Sequence, residues 1–249
     1  MKFGVCTGLE DATAILEAGF DYVELGASAF NGLSDDWDPA PYAGLPIGAT
    51  NLFFDSRIKL FGPEKTPYLD YAKRTVERGA SLSVPIMVIG SGGSRRSPDG
   101  SNQDGAFFDI VAQISEYART LGISLAPESL NRTETNVGND LRGLALGLKE
   151  RGVGYTADSY HVLFEWDADG RTADLGETWR EQLPFAPTHV HIADLPRLGV
   201  DADDAMLRGF AARLAEFGYD GSVSLECSRG TDFNYRSTLR TLKFLFGAE

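Results

Sequence analysis

The sequence predicts an α/β protein built as a single (β/α)8 TIM barrel over residues 1–249. The chain has 249 residues, about the size at which one such barrel closes. Strand-like and helix-like segments alternate from one end to the other, which is typical of a parallel sheet covered by helices. No linker, low-complexity tract or internal repeat divides the sequence, so we expect one domain.

Eight short segments rich in apolar residues are predicted to be β-strands, because turn residues or helical patterns bound each of them. In chain order they are Phe3–Thr7, Asp21–Gly26, Ile47–Phe54, Val84–Ile89, Ile123–Glu128, Gly154–Asp158, His189–Ala193 and Ser222–Cys227.

Between the strands, apolar residues recur with the 3.6-residue period of amphipathic helices. The clearest pattern runs from Phe107 to Leu121, and Gly122 then ends the helix. The other predicted helices begin after Asp11 or cover about Pro67–Gly79, Leu141–Leu148, Glu177–Leu183, Leu207–Leu214 and Arg236–Phe246. Residues 31–45 and 55–66 are less regular. Because eight repeated βα units imply a parallel sheet, we expect that sheet to close into a barrel.

Composition narrows the classes of partner. The formal net charge is −13 and the isoelectric point is about 4.7, so the surface repels phosphate backbones and nucleic acid is a poor candidate partner. Two cysteines, Cys6 and Cys227, cannot build a disulfide framework, which fits a reducing compartment. The sequence shows no signal peptide and no apolar run long enough for a membrane span. We expect a soluble cytoplasmic protein with no membrane partner.

Four of the predicted strands end on a side chain that can bind a metal. Glu128, Asp158, His191 and Glu226 are each the last inward-facing residue of their strand, because side chains alternate between the two faces. The carboxyl ends of the strands form the active-site face of such barrels. We therefore expect these four side chains to meet around one divalent metal ion.

Three carboxylates and one imidazole suit a hard or borderline divalent ion. Mn²⁺ fits best, with Co²⁺ or Mg²⁺ as substitutes, whereas zinc more often brings further histidine or cysteine. Without a cation, carboxylates this close would repel one another. The chain's three histidines, His161, His189 and His191, all lie at or just after these strand ends. We expect His189, one layer deeper in the barrel, to be structural.

The second half of the chain resembles the sugar isomerase/epimerase superfamily, also described as xylose-isomerase-like barrels. Within it, the pattern is most similar to ketose 3-epimerases of the D-tagatose and D-psicose (allulose) type. The segments that carry the resemblance are Glu128-x-Leu130-Asn131-Arg132-x-Glu134, Asp158-x-x-His161, His189-x-His191 followed by Arg197, and Leu225-Glu226-Cys227. The resemblance implies that the metal ligands are Glu128, Asp158, His191 and Glu226.

The same resemblance implies that Glu134, His161 and Arg197 bind the substrate. Ser129 stands where the family usually has proline, and Ala193-Asp194 stands where it usually has Gly-Glu. The first half of the chain, which would shape the far end of the substrate, carries no residue-by-residue match. The sugar is therefore the least defined part of the prediction.

The implied reaction is epimerisation of a ketose at C3 through a cis-enediolate. The metal would chelate O2 and O3 and acidify the C3 hydrogen. Glu128 and Glu226 would act as general acid and base on opposite faces of C3. His161 and Arg197 would polarise O2, and Glu134 would hold the O1 or O2 end. The small-molecule partner is then a sugar, and a homo-oligomer stays open.

Other functions fit almost the same residues. Proton transfer between C1 and C2 would give an aldose–ketose isomerase, and hydroxypyruvate-type or tetronate isomerases and an inosose dehydratase are further alternatives. An abasic-site endonuclease of this fold would need more metal ligands and a basic face. A non-catalytic barrel that binds a sugar would not need the second glutamate. The glycine-rich turn Ser91–Arg96 could receive a phosphate, although an ordinary loop is favoured.

Overall fold

The computed structural model describes residues 1–30, 32–170, 175–230 and 232–248, with the side chains of residues 175–177 left out. All eight predicted strands are present, and they pair in parallel in the order β5-β4-β3-β2-β1-β8-β7-β6. Their bounds are β1 Lys2–Thr7, β2 Tyr22–Gly26, β3 Ile47–Asn51, β4 Ile86–Ile89, β5 Ser124–Pro127, β6 Thr156–Asp158, β7 His189–Ile192 and β8 Ser222–Leu225.

The sheet curves into a nearly closed barrel. β5 and β6, the two ends of the strand order, are joined by a single parallel bridge between Glu128 and Thr156. The Thr156 hydroxyl also donates a hydrogen bond of 2.8 Å to the carbonyl oxygen of Ala126. The predicted (β/α)8 architecture is therefore confirmed.

α-Helices cover the outside of the barrel after every strand but β2, which among the described residues is followed only by the short 3-10 helices Ala27–Phe30 and Ala40–Tyr42. The bounds of the α-helices are α1 Ala12–Glu17, α2 Leu69–Ser81, α3 Gly92–Arg95, α4 Asp104–Thr120, α5 Leu141–Lys149, α6 Ser159–Ala168, α7 Leu175–Gln182, α8 Ala205–Glu216 and α9 Tyr235–Leu245. Among the described helices, none combines the length and the apolar content that crossing a bilayer would require.

Two helices were missing from the prediction. α6 carries apolar side chains on several faces, from Val162 through Trp166, so it shows no clear 3.6-residue period. Its start is set by Asp158, whose side chain accepts hydrogen bonds from the backbone of Tyr160 and His161. The short α3 forms within the glycine-rich turn that was predicted to be a loop.

The strands are shorter than predicted at several ends. β3 ends at Asn51 because Leu52 adopts a φ of 47°, in the left-handed region that breaks a strand. β4 begins at Ile86 rather than at Val84, after Ser83 with a φ of 59°. These local backbone changes do not alter the pairing of the strands.

The outer faces of the strands pack against the helices to form the core. Trp179 from α7 and Phe210 from α8 are fully buried, and their ring centroids lie 4.6 Å apart. The Trp179 indole also donates a hydrogen bond of 2.9 Å to the backbone oxygen of Met206. This contact holds α7 and α8 together beside β7.

Replacing Phe210 with alanine is expected to lower the free energy of unfolding by about 3–5 kcal/mol, because it leaves a cavity in this cluster. The matched control is Phe244→Ala on α9, where the side chain is 67% exposed and the loss should be within about 0.5 kcal/mol. Equilibrium denaturation in urea measures both changes. Equal losses for the two variants would contradict this account of the core.

Candidate metal centre

The ends of β5, β6, β7 and β8 bring four side chains into one group. Glu128, Asp158, His191 and Glu226 each offer an atom that lies within 4.8 Å of the others. The register explains part of this, since Asp158 on β6 pairs with His191 on β7, and His191 pairs with Ser224 on β8. Glu226 then follows directly after β8, and Glu128 directly after β5. The structure thus brings the four predicted ligands together, although it does not test their role.

His191 is the centre of the group. Its Nδ1 atom lies 2.8 Å from Glu226 Oε2, 3.0 Å from Glu128 Oε2 and 3.8 Å from Asp158 Oδ2. The imidazole is completely buried, and Glu128 and Asp158 are 5% and 1% exposed. Three carboxylates therefore surround one ring nitrogen, and only Glu226, at 22% exposure, reaches the solvent appreciably.

The donor set fits a divalent cation. Asp158 Oδ2 is a buried oxygen without a hydrogen-bond partner among the described residues, and Glu226 Oε2 is buried with His191 Nδ1 as its close polar neighbour. Burial raises the pKa of Asp158 well above its usual range, and the charges of Glu226 and Glu128 raise it further. Buried carboxylates in this state gain stability from a cation. Oxygen and imidazole ligands of this kind suit Mn²⁺ and related divalent ions.

Asp158 has two separate roles in the local structure. Its Oδ1 atom accepts a hydrogen bond of 2.7 Å from the backbone of Tyr160 and a longer one of 3.4 Å from that of His161. These contacts cap the N-terminus of α6, while Oδ2 is left facing the other carboxylates. The cap therefore fixes the direction in which the remaining oxygen points.

Glu226 is held by Arg197 from the loop after β7. Arg197 Nη2 lies 2.7 Å from Glu226 Oε1, and Arg197 Nε donates a 3.0 Å hydrogen bond to the Glu226 backbone oxygen. Burial raises the pKa of Glu226, but the positive charges of His191 and Arg197 outweigh it and lower that pKa to about 2. The guanidinium also stacks 4.5 Å from the centroid of the Tyr160 ring. Arg197 thus pairs with Glu226. Its backbone φ of 72° is a strained conformation of the kind that is common at functional sites.

His161 is neutral and presents one defined nitrogen to the site. Its Nδ1 atom accepts hydrogen bonds from the backbone and the side-chain amide of Asn131, at 3.2 and 3.0 Å. The ring proton must therefore sit on Nε2, which lies 3.6 Å from Asp158 Oδ2. Burial lowers the pKa of His161 to about 4. A neutral imidazole with a fixed N–H can donate a hydrogen bond to a substrate oxygen.

Glu134 lies at the edge of the group. Its side chain is 40% exposed, and its Oε1 atom accepts a 3.0 Å hydrogen bond from the Asn131 side chain. The same oxygen lies 3.8 Å from His161 Nδ1. The structure therefore places all three predicted substrate-binding residues next to the four predicted ligands.

The glycine-rich turn Ser91–Arg96, which follows β4, contacts the backbone of the loop that begins at Glu128. Arg95 is fully buried and donates a 2.9 Å hydrogen bond to the backbone oxygen of Glu128. Arg96 donates to the backbone oxygen of Thr133 at 2.8 Å. Both arginines thus hold the loop that carries Glu128 and Glu134.

Two residues of this site were missing from the sequence prediction. Glu24 in β2 is completely buried and lies 2.8 Å from His191 Nε2. A charged residue between Val23 and Leu25, on the inward side of an apolar strand, was a signal that could have revealed it. Gly90 after β4 is the second, because the space beside its Cα is occupied by the Glu128 carboxylate.

The chain is similar to several known proteins. A family model described as a xylose isomerase-like TIM barrel matches residues 12–245. A sequence search of curated proteins gives no significant match. The D-psicose 3-epimerase of Clostridium cellulolyticum H10, solved with D-tagatose, is 17% identical with a TM-score of 0.72, and the match covers 100% of this chain and 95% of that chain.

Two further solved structures have the same fold. The 3-keto-D-glucoside 4-epimerase YcjR from E. coli is 21% identical with a TM-score of 0.73, and 98% of each chain is covered. The IOLI protein, solved with a zinc atom, is 16% identical with a TM-score of 0.65, covering 98% of this chain and 96% of that chain. Identities this low show a common fold.

Adding Mn²⁺ to chelator-treated protein is expected to raise its melting temperature and to release protons. Without a cation the pKa of Asp158 is raised by burial and by its acidic neighbours, and that of His191 is raised because the charges of Glu24 and Glu226 outweigh burial. These two groups hold more protons in the metal-free native state than in the unfolded state, so the stability they contribute is lost as pH rises above their ordinary values of 3.8 and 6.5. The lowered pKa of His161 acts in the opposite direction below pH 6.5, so the loss of stability is expected above that pH. Calorimetric titration in buffers of different ionisation enthalpy counts the protons.

The metal-induced rise in melting temperature should be larger at about pH 8 than at about pH 5.5, because protons compete with the cation. The control is His191→Ala, for which the rise should disappear. A rise that is the same at both pH values, without proton release, would contradict binding at this group.

Gly90→Ala is expected to weaken metal binding by about tenfold or more. A methyl group at this position would lie 2.1 Å from Glu128 Oε1, so the carboxylate would have to move. The control is Gly93→Ala in the same turn, where an added carbon has no neighbour within 4 Å. Isothermal titration with Mn²⁺ compares the two variants, and equal affinities would show that Glu128 need not lie over Gly90.

Proposed function

Because the chain belongs to the xylose isomerase-like TIM barrel family, we propose that it is a divalent-metal-dependent ketose 3-epimerase. The observation that carries the proposal is the pair of carboxylates, Glu128 and Glu226, that approach His191 Nδ1 from different parts of the barrel wall. They come from β5 and β8, which are separated by two strands. Two carboxylates placed in this way can act on two faces of one carbon.

The proposed ligands of the ion are Glu128, Asp158, His191 and Glu226. When bound there, a divalent ion supplies Lewis acidity, which acidifies the hydrogen next to a ketose carbonyl and favours the enediolate. Mn²⁺ is our first choice, with Co²⁺ or Mg²⁺ as substitutes. The zinc atom in the IOLI structure supports a divalent ion in a protein of this fold.

The two glutamates are proposed to move the proton at C3. Each has one oxygen, Oε2, directed at His191, and Oε1 is the oxygen proposed to transfer the proton. Oε1 of Glu128 lies over Gly90, whereas Oε1 of Glu226 is held by Arg197. One residue removes the C3 proton and the other returns a proton on the opposite face, which inverts the carbon.

The remaining residues would bind and orient the sugar. His161 donates from Nε2 to the carbonyl oxygen O2, since its Nδ1 is occupied by Asn131. The Arg197 guanidinium adds positive charge near the same oxygen as negative charge develops on it. Glu134, at the exposed edge, accepts a hydrogen bond from a hydroxyl group at the O1 end. The direction of each group supports these roles.

The substrate is proposed to be an unphosphorylated 2-ketose. The D-psicose 3-epimerase solved with D-tagatose supports this class. A cytoplasmic location stays a prediction, and a homo-oligomer stays open.

The proposal predicts that Mn²⁺-loaded protein in D₂O places deuterium at C3 of a ketose and forms the C3 epimer. NMR with fructose, tagatose, psicose, ribulose and xylulose measures both and ranks the substrates. Label at C1 or C2 with an aldose product would indicate an aldose–ketose isomerase instead. No exchange with any of these sugars would contradict the proposed proton transfer.

Glu128→Gln and Glu226→Gln are each expected to lower turnover by about 10²–10⁴-fold, because each removes one of the two groups that transfer protons. The control is Glu150→Gln, whose side chain is 80% exposed outside the barrel. Metal content is measured for every variant, so that lost proton transfer is distinguished from lost metal. Turnover near that of the unmodified protein in either metal-loaded variant would exclude a role for that glutamate.

A further inference from the structure

Glu24 joins two histidines from inside the barrel. Its Oε1 atom lies 2.8 Å from His191 Nε2, and its Oε2 atom lies 2.8 Å from His189 Nε2. All three residues are 0% exposed. Each ring can donate its Nε2–H to one carboxylate oxygen, so the three side chains satisfy one another completely.

A hydrogen bond between His189 and Ser222 also holds this group in place. His189 Nδ1 lies 2.7 Å from the hydroxyl of Ser222, at the start of β8. His189 is thus fixed at both ring nitrogens, and it keeps the Glu24 carboxylate from turning away from His191. Ser222 on β8 thus contacts His189 on β7, His189 contacts Glu24 on β2, and Glu24 contacts His191 on β7.

The hydrogen bond between His191 Nε2 and Glu24 decides which nitrogen of His191 can bind a cation. An imidazole that donates Nε2–H to a carboxylate has its lone pair on Nδ1. In this chain Nδ1 is the atom that faces the three carboxylates of the metal centre. A carboxylate behind a histidine ligand also fixes the ring orientation and raises its basicity as a ligand.

We propose that Glu24 is a positioning residue for the metal centre, which holds His191 with Nδ1 directed at the cation. The inference rests on the proposed function, because it assumes that Glu128, Asp158, His191 and Glu226 bind a divalent ion. It assigns a role to the first half of the chain, for which the sequence offered no site residue. Glu24 does not touch the sugar and acts only through His191.

The test is the affinity for Mn²⁺, measured by isothermal titration of chelator-treated protein. Glu24→Gln keeps the shape of the side chain but has one acceptor oxygen in place of two, so one histidine loses its partner. We expect the dissociation constant to increase by about 10–100-fold. At saturating Mn²⁺ the variant should regain most of the turnover, which a general loss of structure would not allow.

Tyr22→Phe is the matched control. Tyr22 lies two residues before Glu24 on the same strand, is equally enclosed, and makes a 2.9 Å hydrogen bond to Ser224 rather than to a histidine. This variant should bind Mn²⁺ like the unmodified protein. In zinc-loaded protein, ¹⁵N NMR of the imidazoles should show His191 protonated on Nε2, and Glu24→Gln should broaden or shift that signal.

If Glu24→Gln does not fold, the same titration is made with Glu24→Asp. The shorter side chain keeps the charge but cannot reach both rings, so the metal affinity should again fall. An unchanged dissociation constant in a folded Glu24 variant would overturn the proposal for Glu24 alone. If the unmodified protein fails to bind Mn²⁺, the metal centre itself is wrong, and the two failures are therefore distinguishable.

Discussion

Three carboxylates around one buried imidazole nitrogen are the constraint on which the rest of this site depends. Glu128, Asp158 and Glu226 lie within 3.8 Å of His191 Nδ1, and the first two are buried while Glu226 is 22% exposed. Such a concentration of negative charge is unfavourable unless positive charge is added. Arg197 neutralises part of it from the outer side, and a divalent ion would neutralise the rest. The neighbouring groups can all be understood as parts of this arrangement.

The barrel makes the arrangement rigid. Parallel strands deliver their last inward residues to one edge, and hydrogen bonds within the barrel interior hold the layer below. His189 and Glu24 belong to that lower layer and fix the ring of His191. The α6 cap fixes Asp158, and Arg95 fixes the backbone of Glu128. Each proposed ligand is thus oriented by a contact that would not itself bind the ion.

The strand pattern alone predicted the fold and brought the four ligand candidates to one face. It succeeded because alternation and barrel geometry decide where the last inward side chain lies. Glu24 escaped prediction because its contacts with His189 and His191 span 165 and 167 residues, a separation that local patterns do not encode. α6 escaped because its apolar residues lack a helical period. Which sugar fits depends on loops of the first half, for which neither pattern nor motif was available.

The most direct test of a single metal centre is the position of a bound ion in a crystal. Crystals soaked in Mn²⁺ and measured near the manganese absorption edge would show an anomalous peak at each bound ion. One peak within about 2.0–2.3 Å of His191 Nδ1 and of oxygens from Glu128, Asp158 and Glu226 is the predicted result. No peak at this group, or an ion bound only elsewhere, would contradict the account.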